Sequence, residues 1–108
     1  MSFHNIVFSP LAKEDFSDIL YYTWQRWGEN QRDRYAQKLD AALKTVAQFP
    51  TIGVLRPDLF RGCRVFQVER HSVFYHFLGS ETVEILRILS TRMDVRRHIV
   101  MDDEEEQL

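Results

Sequence analysis

The pattern of apolar positions changes period partway along the chain. Ile6, Val7 and Phe8 form a short apolar run that reads as a first strand. Ser9 then supplies an N-cap hydroxyl, and Pro10 fits the first helical position, where its missing N–H costs nothing. Ala12, Phe16, Ile19, Leu20, Thr23 and Trp27 recur at helical spacing, which predicts a helix over 10–27 with Trp27 on its core face. Glu14, Asp15 and Asp18 suit the positive end of that helix, and Gly28 ends it. Tyr35, Leu39, Ala42, Leu43, Val46 and Phe49 give a second helix over 30–48, and so short a connection forces an antiparallel hairpin. Pro50 stops this helix, Gly53 permits a turn, and residues 54–62 read as a loop carrying Arg56, Pro57, Asp58 and Arg61.

From residue 63 onward the period is two. Runs over 63–68, 73–78 and 82–89 are rich in β-branched and aromatic residues with short polar turns between them, which predicts an antiparallel meander. In the last run strict alternation sets Val83, Ile85 and Leu89 on one face and Leu86 and Ile88 on the other. The helical hairpin should cover one face of the sheet, with the first strand added at an edge. Residues 92–98 suit one closing helical turn capped by Asp94. The fold class is therefore α+β: an N-terminal strand and an antiparallel helical hairpin packed on a small antiparallel sheet.

At 108 residues the chain holds a single domain over 1–100. Residues 101–108 are acidic and of low complexity, and are expected to be a disordered tail. Asp102 to Glu106 either solubilise this end or fold back over Arg92, Arg96 and Arg97. A lone cysteine, Cys63, rules out an internal disulfide and suits a reducing compartment. Neither a secretory signal nor an apolar run near the ~20 residues of a membrane span is visible, so the expected location is the cytoplasm. The net charge of −2 hides an asymmetry: without residues 102–108 the chain carries fourteen bases against eleven acids. The excess lies in 56–101, with eight arginines, five acids and no lysine. Arginine suits directed contacts with carboxylate or phosphate, because its planar fork binds in bidentate fashion.

Familiar catalytic patterns are missing. His4, His71, His76 and His98 are scattered and one cysteine cannot build a thiolate cluster, so no metal set emerges. No glycine loop cradles phosphate, no nucleophile elbow surrounds a serine, and no cofactor is implied. Cys63 reads as a small packed side chain. Arg64, His76 and Arg87 lie on successive strands and can face one another across the sheet; a base, a cation and an acid are what ribonucleolytic transfer requires. The plainer alternative is a sheet-face histidine between Tyr75 and Phe77. Trp24 lies off the main helical stripe, and either widens the core face or stays exposed as a contact residue.

Several short stretches occur in a telling order: I-V-F-S-P-L-A (6–12), W-G (27–28), P-T-I-G (50–53), R-P-D-L (56–59), V-F-Y (73–75) and I-L-S-T-R-M-D (88–94). Together they resemble the ParE toxins of bacterial toxin–antitoxin modules, within the RelE/ParE superfamily. The resemblance implies a toxin that inhibits DNA gyrase by binding, with no catalysis of its own, and that is neutralised by a ParD-like antitoxin. Nucleic acid then enters only through the antitoxin or the gyrase complex. It points to Arg92, Met93, Arg96 and Arg97 as the target-binding surface, and to the helical face near Trp24 and Tyr35 for antitoxin contact. Ser90 stands where many relatives carry histidine, which speaks against chemistry at that position. Two alternatives remain beside this reading: a RelE-like mRNA endoribonuclease using Arg64, His76 and Arg87, and an antitoxin-binding module without toxicity.

Overall fold

The computed structural model describes residues 3–99; the acidic segment 101–108 lies outside them. The element order is β1 (Asn5–Phe8), α1 (Pro10–Trp27), α2 (Glu29–Gln48), β2 (Val54–Leu55), β3 (Arg64–Val68), β4 (His71–Phe77), β5 (Thr82–Ser90) and α3 (Val95–His98). Local signals fix the helix ends. The Ser9 hydroxyl accepts from the Ala12 amide at 3.0 Å and donates to the Leu86 carbonyl at 2.8 Å, so one cap both starts α1 and ties it to β5. Gly28, at φ +92°, closes α1 by donating its N–H to the Trp24 carbonyl and opens α2 in the same step. That backbone angle suits glycine and strains side-chain-bearing residues. Pro50 comes just after Phe49, the residue that caps α2.

The five strands run in the order β1-β5-β4-β3-β2. The expected meander of β3, β4 and β5 is antiparallel, and β1 joins at the edge of β5 in parallel, so the sheet is mixed. Residues 54–62 are not all loop: Val54 and Leu55 pair with Val65 and Arg64 to form the other edge. A bulge in β5 changes which side chains share a face. Phe74 pairs with Arg87 but Tyr75 pairs with Ile85, leaving Leu86 as the extra residue. Past it the alternation reverses phase. Val83, Ile85 and Ile88 pack toward the helices, while Leu86 and Leu89 point the other way, so strict alternation assigns Ile88 and Leu89 to the wrong faces.

Both sheet faces are covered. On one side Leu39, Ala42, Leu43 and Val46 of α2, with Ala12 of α1, bury Val73, Tyr75, Val83 and Ile85. On the other, Phe60 and Cys63 of the loop before β3 and Ile99 after α3 close over Phe74 and Leu89. Cys63 is fully buried as a small packed side chain, and burial pushes its thiol up to about 11.

Candidate functional site

After β5 the chain turns sharply. The Ser90 hydroxyl accepts from the Arg92 amide, the Met93 amide bonds the Ser90 carbonyl, and Asp94 caps α3 through the Arg96 amide. Ser90 is thus a turn-maker here. Val95 and Ile99 point inward, which leaves Arg92, Met93, Arg96 and Arg97 exposed on one short segment. The loop after β2 joins this surface. Asp58 accepts two hydrogen bonds from Arg56, both at 2.9 Å, and one from Arg96 at 3.1 Å. Those hydrogen bonds, chiefly from Arg56, hold the Asp58 carboxyl below its ordinary range. Arg97 sits 3.6 Å from Asp94 in an exposed pair.

The three nuclease candidates are not brought together. Arg64 pairs with Tyr75, whose ring packs toward the helices, and donates to the carbonyls of Thr51 and Gly53. His76 lies on the opposite face, edge-on to Phe60, with Nε2 2.8 Å from Glu84. Arg87 turns to α1 and grips both oxygens of Asp15 at 2.8 and 2.9 Å. Alternation along β3 and β4 puts Arg64 and His76 on opposite faces, while Arg87, paired with Phe74 on the His76 face, is spent on Asp15 and the His98 carbonyl. Asp15 correspondingly serves Arg87 and the Ile88 amide.

A second exposed surface lies at the far end of α1. Burial along this helix stops at Thr23. Trp27 is 59% exposed and Trp24 45%, so the expectation of a core Trp27 is incorrect. Periodicity puts Trp27 on the core stripe, but packing against the sheet and α2 gives out before the stripe ends. Tyr21 and Tyr22 are also exposed, the Tyr21 ring lies tilted at 5.9 Å from Trp24, and the Arg26 guanidinium sits 5.6 Å over the Trp27 ring. The cluster Tyr21, Tyr22, Trp24, Trp27 was visible in the sequence as Y-Y-T-W-Q-R-W (21–27), but helical spacing drew attention to the core stripe instead. Tyr35 behaves differently from Trp24. At 7% exposure its ring belongs to the core, where it packs from α2, and its hydroxyl meets His71 Nδ1. It lines a groove of about 410 Å³ together with Tyr22, Trp27, Gln31 and Arg70. Burial, reinforced by the Arg70 charge, pulls the His71 imidazole below its ordinary value.

Among the described residues no group of three or more His, Cys, Asp or Glu side chains is placed to hold a metal ion. Among those same residues no helix is long and apolar enough to cross a membrane.

Comparison with known proteins identifies the family and agrees with the fold. The family profile described as ParE toxin of type II toxin-antitoxin system, parDE, matches residues 6–95. The chain is 33% identical over 91 residues to toxin ParE1 of Mycobacterium tuberculosis, covering 84% of this chain and 93% of that protein. It is 38% identical over 91 residues to toxin ParE1 of Caulobacter vibrioides, with the same coverage of each. A solved chromosomal ParDE toxin–antitoxin system from P. aeruginosa shares the fold, with a TM-score of 0.69 at 20% identity over 82% of this chain and 96% of that one. A profile match across most of the chain, with relatives above 30% identity along nearly their whole length, shows that this chain belongs to the ParE toxins of type II toxin–antitoxin systems.

Proposed function

We propose that this toxin inhibits DNA gyrase by binding, without catalysis of its own, and that a ParD-like antitoxin neutralises it in the cytoplasm. The observation that carries the reading is how its arginines are used. Arg64 and Arg87 are committed to internal partners, whereas Arg92, Arg96 and Arg97 stand exposed on a turn held from beneath. Exposed guanidinium groups on a fixed segment suit a carboxylate- or phosphate-bearing partner. Arg87, whose three nitrogens are all taken up by Asp15 and the His98 carbonyl, has no donor aimed at a substrate. Trp24 and its aromatic neighbours provide an anchor surface for the antitoxin, since exposed aromatic clusters are favoured at binding hot spots.

The test is a supercoiling and DNA-cleavage assay with purified gyrase, the toxin alone and then with its antitoxin. Accumulated cleaved DNA, relieved by the antitoxin, is the expected result. Alanine at Arg92, Arg96 and Arg97 should abolish it while leaving antitoxin affinity intact. Inhibition that survives the triple substitution refutes the assigned surface. Inactivity toward gyrase together with mRNA cleavage that depends on His76 and Arg87 establishes the ribonuclease alternative.

A further inference from the structure

We infer that Arg87 is a positioning residue that seats α3, and with it the exposed arginines, against the body of the toxin. The inference rests on the proposed target surface. Helix α3 has only four residues, too few to hold itself together. Its exposed ion pairs, Arg96 with Asp58 and Arg97 with Asp94, add little to its placement. Two things fix it from inside. Val95 and Ile99 enter the apolar cluster of Phe60, Cys63, Phe74 and Leu89, and Arg87 Nη1 donates to the His98 carbonyl at 3.1 Å. That carbonyl lies in the last turn of α3, where helical C=O groups lack intrahelical donors and a cation is favourable.

Arg87 is itself held rigidly. Its Nε and Nη2 bond the two oxygens of Asp15 on α1, and the Asp15 carboxylate also accepts the Ile88 amide at 2.9 Å. The two side chains retain only 17% and 11% of their accessible surface. One guanidinium therefore joins α1, β5 and α3 through three N–H donors, and α3 inherits its orientation from the sheet. A lysine in its place has one point of attachment and cannot serve both partners with this geometry.

The experiment compares the wild-type toxin with two variants, Arg87→Gln and the double variant Asp15→Asn/Arg87→Gln. The double variant removes both charges, so no unpaired carboxylate is left behind to unfold the protein. Two readouts are taken: amide hydrogen exchange and half-inhibitory concentration against gyrase. A charge-assisted bond to a carbonyl shifts a local opening equilibrium by roughly tenfold or more. Exchange at the Arg97 and Ile99 amides should accelerate by about that factor, while Leu39 and Val46 in α2 stay protected. Because apparent affinity falls with the seated fraction, the half-inhibitory concentration should rise, by no more than about the tenfold factor seen in exchange. Retained protection at Leu39 and Val46 separates loss of positioning from loss of fold. Unchanged exchange at Arg97 and Ile99 overturns the positioning role. So does a loss of inhibition accompanied by an equal loss of protection at Leu39 and Val46. A wild-type toxin inert toward gyrase overturns the proposed function instead, and the exchange data then decide the role of Arg87 alone.

Discussion

Replacing Tyr75 by Phe removes one oxygen atom, and the structure predicts a large effect from it. Tyr75 is fully buried, and its hydroxyl closes the 50–55 segment onto the sheet. It accepts the Gly53 amide at 2.9 Å and donates to the Pro50 carbonyl at 2.9 Å. Without it, a donor and an acceptor are left unpaired beside an apolar ring. A buried unsatisfied group costs about 1–3 kcal/mol. Pro50 is partly accessible and recovers some of this from water, so the sum is about 2–3 kcal/mol. For a domain of this size that lowers the Tm by roughly 10–20 °C. Thermal and urea unfolding followed by circular dichroism measure it, and the urea m-value should not change. The same contact makes Gly53 a position where only glycine fits: a Cβ there would lie 2.5 Å from the Tyr75 hydroxyl oxygen and 2.9 Å from Cε1. Gly53→Ala should therefore destabilise by about 1–3 kcal/mol, since Tyr75 has no room to retreat. In the Tyr75→Phe background the worst clash is gone, and the two substitutions should be less than additive by at least about 0.5 kcal/mol. A Tyr75→Phe protein melting within about 2 °C of wild type would refute the reasoning.

Three further outcomes are expected. Burial depresses the His71 imidazole below its ordinary value of 6.5, so the unfolded chain binds more protons there than the folded one. The stability this contributes is fully present above the unfolded value and is lost as pH falls through the folded one; the Tm should drop more steeply between about pH 7.5 and about pH 5 in wild type than in His71→Gln. Cys63, buried and with its thiol near 11, should resist thiol reagents at about pH 8 in the native protein and react only on unfolding; prompt native labelling would contradict its burial. Trp24 and Trp27 are the two tryptophans of the chain and both are exposed, so antitoxin binding at α1 should shift the emission to the blue and shield it from acrylamide. Trp24→Ala should weaken that complex while changing stability by no more than about 0.5 kcal/mol; an unchanged spectrum in the complex would move the antitoxin elsewhere.

What the sequence disclosed follows from the range of the forces involved. Ser9, Pro10, Gly28 and Pro50 act within a turn of where they sit, and the two helices begin and end within a residue of the expected positions. Alternation likewise marked β3, β4 and β5. Features made by distant pairs were hidden. Asp15 and Arg87 lie 72 residues apart, and nothing in either neighbourhood announces the other. The bulge at Leu86 inverts the faces of Ile88 and Leu89, because a period of two carries no record of a skipped partner. Leu59 and Phe60 sit in a segment without periodicity, so the cover over the second sheet face was invisible. Trp27 shows the limit of periodicity itself: spacing gives the face a residue takes, not whether anything stands opposite.

The two exposed surfaces belong to different layers, and this bears on how such a toxin is silenced. The aromatic end of α1 lies in the helical layer, whereas Arg92, Arg96 and Arg97 lie with α3 on the other side of the sheet. A partner docked only on Trp24 and its neighbours does not touch the arginines. Neutralisation by steric cover therefore requires a segment that leaves the helical layer and passes a sheet edge. Among the described residues the β2 edge is open to it, with Val54 and Leu55 exposed and pairing with β3 alone. A polypeptide crossing there gains main-chain hydrogen bonds as an added strand and apolar contact along the way. The other physical route runs through Asp15 and Arg87, which join α1 to the last carbonyls of α3. That route shifts the arginines only if the antitoxin binds the seated and unseated states of α3 unequally. An antitoxin fragment confined to α1 distinguishes the two: it binds without relieving gyrase under steric cover, and relieves it under coupling through Arg87.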